Sequence, residues 1–224
     1  MTRIGPREAV WWAQDYLYAS AAWIGSHFGT DAPQDYITGT LRPVMVVPGV
    51  YENWRFMRPV IRALHDAGHP VHVLTGLGHN LAPITDGATV VREYLESHQL
   101  HGVGVVAHSK GGLIGKLAMT AELAEDARID RVVAICTPFG GARLARYLPW
   151  PALRPLVPGH PSLVHLAAAQ AVNSRVVSIY GGFDPHIPEG SELPGATNIQ
   201  LPVAGHFRIL SRPETRRAVL AAVT

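Results

Sequence analysis

A serine placed between small residues, where a predicted strand meets a predicted helix, can be made into a nucleophile. Residues 107–112 of this chain, Ala-His-Ser-Lys-Gly-Gly, have that form. A serine hydroxyl is a weak nucleophile at neutral pH. It needs a base to take its proton, a carboxylate to orient the base, and hydrogen-bond donors for the oxyanion that forms on its target. Before the serine, Val103-Gly104-Val105-Val106 reads as a short buried strand; after it, Leu113, Ile114, Leu117 and Ala118 recur at helical spacing. Ser109 therefore sits on a strand-to-helix turn, a nucleophile elbow, whose strained backbone tolerates only small residues two positions away. Those neighbours are Ala107 and Gly111.

A carboxylate and a histidine that could serve Ser109 stand after later predicted strands. Asp184 follows the predicted strand Arg175 to Tyr180 through Gly181-Gly182-Phe183, at the sheet edge where sites of parallel sheets are built. Asp130 precedes its strand and so falls at the opposite edge, the loop Thr137 to Gly141 has no carboxylate, and Glu189 ranks second. His206, in Val203-Ala204-Gly205-His206-Phe207, follows the last predicted strand and precedes the closing helix. His186 is the rival base, but it shares a loop with Asp184 and lacks a strand of its own to carry it over Ser109.

With these residues in this order, the chain resembles the α/β-hydrolase superfamily, and within it the small bacterial lipases and esterases that carry Ala-His-Ser-x-Gly at the elbow. Ala107 stands where glycine is usual, and Asp184-Pro185-His186-Ile187-Pro188 is similar to the Asp-x-x-Ile/Val-Pro around the superfamily's acid. The resemblance covers about residues 43 to 224. It implies an α/β-hydrolase fold, with a mostly parallel sheet between helices, a catalytic triad of Ser109, Asp184 and His206, and no cofactor. It also implies an oxyanion hole made by the backbone N–H groups of Lys110 and Val50. In Pro48-Gly49-Val50-Tyr51, Pro48 replaces the histidine usual in that loop, which leaves its side-chain hydrogen bonds in question.

The elements that must position these groups alternate along the chain. Val44 to Val47 reads as strand, Trp54 to Ala67 as helix, Val71 to Leu74 as strand, Gly87 to His98 as helix, and the elbow helix runs on to Ala127. Strands follow at Arg131 to Cys136, at Arg175 to Tyr180 and near Asn198 to Leu201, then a helix from Pro213. One domain over 1–224 is expected, with a helical extension at 1–42 and a cap-like insertion at about 141–174, where Leu148 to Pro161 holds five prolines. In the extension a helix starts near Pro6 and puts Trp12, Tyr16, Ala19 and Trp23 on one face. Packing against the body is the simpler expectation; an interfacial helix touching lipid or covering the site is the sharper one, against which stands the missing basic face.

Composition excludes more than it assigns. Nineteen basic against 17 acidic residues, with no dense Lys/Arg tract, argue against a nucleic-acid partner. The single Cys136 rules out an intrachain disulfide or a cysteine metal site, and His65, His69, His72 and His79 lie on elements that argue against a shared metal. Neither a signal sequence nor a transmembrane run is read, so a cytoplasmic protein acting on a small ester or lipid is expected, with peripheral lipid contact through the N-terminal helix left open. Three functions stay in view: hydrolysis of carboxylic esters, acyl transfer or thioester cleavage on the same triad, and a non-catalytic binding protein of this fold.

Overall fold

A computed structural model of the chain describes residues 5–121 and 127–224. Six strands form one sheet in the order β2-β1-β3-β4-β5-β6, and all five pairings are parallel. They are β1 Val44–Val47, β2 Val71–Val73, β3 Val103–His108, β4 Ile129–Ile135, β5 Val176–Phe183 and β6 Thr197–Ala204. The sheet is thus wholly parallel among the described residues, beyond the mostly parallel arrangement expected. Side chains alternate across it: Val44 and Val46 point into one apolar layer and Met45 and Val47 into the other. Burial on both faces is why the central strands read as continuous β-branched runs.

Helices α2 Arg58–Asp66 and α6 Pro213–Val223 cover one face, and α3 Ile84–Ser97, α4 Lys110–Thr120 and α5 Pro161–Ala168 the other. The first helix, α1 Pro6–His27, packs on the short helical turns at Trp54–Met57 and Arg208–Ser211. It therefore packs against the body. No described helix is long and apolar enough to cross a membrane.

Several boundaries moved. The helix expected over 54–67 opens as a tight turn capped by the Asn53 side chain, which accepts from the Arg55 N–H, and becomes α-helical only at Arg58. Helix α3 starts three residues before Gly87, and α4 ends at Thr120 rather than Ala127; residues 122–126 of that expected helix lie outside the described ones. Strand β6 extends to Ala204 through Pro202 because it is an edge strand, where a missing N–H costs no ladder bond. Strand β4 begins at Ile129, so Asp130 lies inside it, still at the N-terminal edge, paired with Arg42 and Arg131.

Strand order reverses at β1: its chain neighbour β2 lies on one side and β3 on the other. The crevice beyond the C-terminal ends of β1 and β3 is where ligands of such sheets bind. The loops after β1, β3, β5 and β6 all contribute to it.

Candidate active site

Ser109 follows β3 directly, with φ +50° and ψ −121°, a left-handed conformation that few non-glycine residues adopt. Close packing explains the small neighbours: a Cβ at Gly111 would overlap the Val47 carbonyl, and one at Gly112 would overlap the Thr137 side chain. Thr137 in turn donates its hydroxyl to the Ser109 carbonyl at 3.0 Å. The strained turn is therefore locked from both sides.

The structure brings Ser109, His206 and Asp184 together. His206 Nε2 lies 3.0 Å from Ser109 Oγ, and His206 Nδ1 lies 2.8 Å from Asp184 Oδ2. With Nδ1–H donating to the carboxylate, Nε2 is left as the acceptor for the serine proton. The other Asp184 oxygen accepts from the N–H groups of His186 and Ile187 at 2.8 and 3.0 Å. Burial alone would raise the Asp184 carboxyl, but the His206 charge, its hydrogen bond and those two amides outweigh it and hold the group at about 2. Burial likewise disfavours charge on His206, yet Asp184 first, then Asp15 and Glu52, raise its affinity for a proton above the ordinary histidine range.

The rivals sit elsewhere in the same neighbourhood. His186 lies against the His206 ring, centroids 5.0 Å apart, and lines the same cavity. Burial, and then the neighbouring His206, push it down to about 3, so it stays neutral. Glu189 pairs with Arg143 instead of approaching His206.

The two residues expected to supply oxyanion donors also flank the serine. Lys110 is the first residue of α4, whose opening N–H groups have no partner within the helix. Val50 lines the cavity beside Ser109. Its loop is pinned without the usual histidine: Gly49 N–H donates to Glu52 Oε2 at 2.7 Å, and Asn80 Nδ2 donates to the Pro48 carbonyl at 2.7 Å. The Lys110 ammonium turns away into the protein, donating to the carbonyls of Asn80 and Ala82, and burial lowers it to about 8.

Three residues of this neighbourhood escaped the sequence reading. Glu52 is buried and meets His108 Nδ1 at 2.8 Å, while His108 Nε2 bonds the His206 carbonyl at 2.9 Å. Asp15 of α1 is fully buried and accepts the N–H groups of His206, Phe207 and Arg208 at 3.0, 2.9 and 2.8 Å. Gly205 permits this approach, since a Cβ there would overlap the Asp15 carboxylate. The base loop is thus held by its backbone N–H groups, by a backbone carbonyl and by its side chain. Asp15 had one signal, a lone carboxylate before the uncharged stretch of residues 16–30.

Above Ser109 and His206 opens a cavity of about 750 Å³. Trp12, Tyr16, Ala19 and Trp23 of α1, the face expected from the sequence, form one wall, and residues between Ala142 and Leu156 form another. Tyr51 and Trp150 join the oxyanion loop to that second wall in an edge-on contact at 6.1 Å. Among the described residues, one group of three could offer a metal its ligand atoms, namely Cys136, Asp184 and His206. Asp184 and His206 already bond each other, and burial pushes the Cys136 thiol well above its ordinary range, so the set fits an acid–base pair better than a cation. The four histidines at 65, 69, 72 and 79 bond separate partners, respectively Thr38, the Arg42 carbonyl, Tyr94 and His27.

This is the α/β-hydrolase fold: a parallel sheet with a serine elbow after a central strand and a carboxylate and histidine on later loops. Solved structures share it at low identity. The chain is similar to BpoC from Mycobacterium tuberculosis H37Rv, named a 'putative non-heme bromoperoxidase', with TM-score 0.63 and 19% identity over 83% of this chain and 94% of that one. It is also similar to the monoacylglycerol lipase of Paleococcus ferrophilus, with TM-score 0.58 and 18% identity over 81% and 95%. The enol-lactonase of Burkholderia xenovorans LB400 matches with TM-score 0.57 and 15% identity over 83% and 92%. No protein-family model matches the sequence, and no curated protein does.

Proposed function

We propose that this protein is a serine hydrolase that cleaves carboxylic esters through an acyl-enzyme. The observation that carries the reading is the continuous hydrogen-bonded line Ser109–His206–Asp184, ending in an apolar cavity. In the first step His206 Nε2 takes the Ser109 proton as Oγ attacks the ester carbonyl carbon. The resulting oxyanion is held by the N–H groups of Val50 and Lys110. Collapse of the tetrahedral intermediate breaks the carbon–oxygen bond to the alcohol, which leaves with the proton carried by His206. Water, deprotonated by the same histidine, then attacks the acyl-serine and releases the acid. Asp184 stays ionised throughout and stabilises the imidazolium.

The cavity's walls supply few polar partners, so an apolar acyl group fits better than a sugar or a peptide. The same aromatic walls, by limiting water at the acyl-enzyme, favour a second reading in which an alcohol or thiol takes the acyl group. Turnover of p-nitrophenyl esters of graded chain length, with and without an acceptor alcohol, separates the two. Hydrolysis that rises with chain length and is lost in Ser109→Ala supports the proposal. Turnover unaffected by Ser109→Ala contradicts it, and so does acyl transfer that dominates hydrolysis at low acceptor concentration.

A further inference from the structure

The exposed apolar side chains of this protein are not scattered. Of the fifteen large ones among the described residues, eight also line the cavity above Ser109. Three come from α1, Tyr16, Trp23 and Ile24, four from the segment after β4, among them Tyr147 and Trp150, and Tyr51 from the loop after β1. Tyr147 is 76% exposed and Trp150 50%. Scattered surface apolars need no explanation, but a cluster framing one opening marks a place where a second phase or partner covers it.

Charge identifies what covers it. From Arg131 to Phe183 the chain carries five arginines and no carboxylate, and residues 16–30 carry no aspartate, glutamate, lysine or arginine. Arg146 and Arg154 are exposed and stand in the short helical turns Arg143–Tyr147 and Pro151–Leu156, among residues that line the cavity. Among the described residues neither has an acidic partner within 4 Å, whereas Arg143 is paired with Glu189. Helix α1 alone lacks the basic face of an interfacial helix; the segment facing the same opening supplies it. A second copy meeting the same rim would bring Arg146 and Arg154 no carboxylate from residues 16–30 or 131–183, which contain none. Tryptophan and tyrosine are the residues that settle at the headgroup level of a bilayer, and arginines beside them meet anionic headgroups.

We propose that the rim formed by α1 and residues 143–154 docks on a lipid bilayer bearing anionic headgroups, so that the cavity opens into the membrane surface. The docking does not depend on ester cleavage, and it is read without turnover. The test is co-sedimentation of the full chain with vesicles of phosphatidylcholine alone and of phosphatidylcholine with phosphatidylglycerol. Binding is expected to be stronger to the anionic vesicles and to weaken at 1 M salt, where the screening length falls to about 3 Å. Arg146→Gln with Arg154→Gln should lower the anionic partition about 30-fold, at roughly 1 kcal/mol per arginine, and leave turnover of a short soluble ester unchanged. Tyr147→Ser with Trp150→Ser should weaken binding to both vesicle types, with thermal melts confirming an intact fold. Equal binding to both vesicles, or binding untouched by either double variant, overturns the proposal. So does absence of vesicle binding combined with a dimer that Tyr147→Ser and Trp150→Ser dissociate, which would assign the rim to a second copy.

Discussion

Two carboxylate–imidazole pairs lie side by side in this protein, and the proposed function gives them different work. Glu52–His108 and Asp184–His206 have the same 2.8 Å separation, are both nearly sealed from solvent, and have imidazole rings only 4.9 Å apart. They differ in what the second ring nitrogen meets. That of His108 bonds a backbone carbonyl, so its hydrogen-bonding capacity is used up by structure; that of His206 meets a serine hydroxyl at the floor of a cavity. The lesson is that burial and a carboxylate partner do not make a base. An imidazole works only when its free nitrogen faces a group that must lose a proton.

Four predictions test that contrast. The largest effect is expected from Ser109→Ala, which should lower ester kcat by at least about 10⁴-fold, as for other triad nucleophiles, in stopped assays with the fold verified by circular dichroism. Asp184→Asn should cost a comparable factor, about 10⁴, and should also lower the melting temperature, because its pair is buried and charge-assisted. Glu52→Gln should cost stability without a comparable loss of rate. Weakening a buried charged hydrogen bond costs on the order of 2 kcal/mol, a Tm drop of roughly 4–8 °C in a chain of this size, while kcat per folded molecule falls less than about tenfold. If Glu52→Gln abolished turnover in a folded protein, the two pairs would not be separable.

The smallest effect concerns pH. Because Asp184, Asp15 and Glu52 raise the proton affinity of His206, and only neutral His206 can accept from Ser109, kcat/KM should rise with pH through a limb above the ordinary histidine value of 6.5. Asp15→Asn removes one of the raising charges but keeps only one of the two acceptor oxygens, its NH2 facing a backbone N–H, so the limb should move to lower pH in protein that is also somewhat less stable. A limb that does not move would reduce Asp15 to packing. The same shifts act on stability. His206, raised when folded, contributes below its unfolded value and loses that contribution as pH rises through the folded one. Asp184, lowered to about 2, contributes above the unfolded 3.8 and loses it as pH falls toward 2.

What could be read from the sequence follows the same division. Ser109, Asp184 and His206 each stand just past a strand of recognisable pattern, and parallel strands deliver their following loops to one edge, so linear position translated into place. Glu52, His108 and Asp15 act through pairings 56, 98 and 191 positions apart, which no local pattern encodes. His108 lay inside the elbow itself, yet only the fold shows that its ring points away from the serine toward Glu52. Boundaries failed where one residue type had two meanings. Pro202 reads as a strand breaker but is tolerated on the edge strand β6, and Pro59 near the start of α2 permits a tight turn before the helix where the periodicity continued unbroken.

The central claim is that Ser109 alone among the serines is activated. Reaction of the folded protein with a fluorophosphonate, followed by peptide mass spectrometry, addresses it directly. One phosphonyl group on Ser109, formed much more slowly in Asp184→Asn than, per folded molecule, in Glu52→Gln, is the predicted result. An unlabelled Ser109 in protein that still hydrolyses esters, or an adduct on another residue, would contradict it.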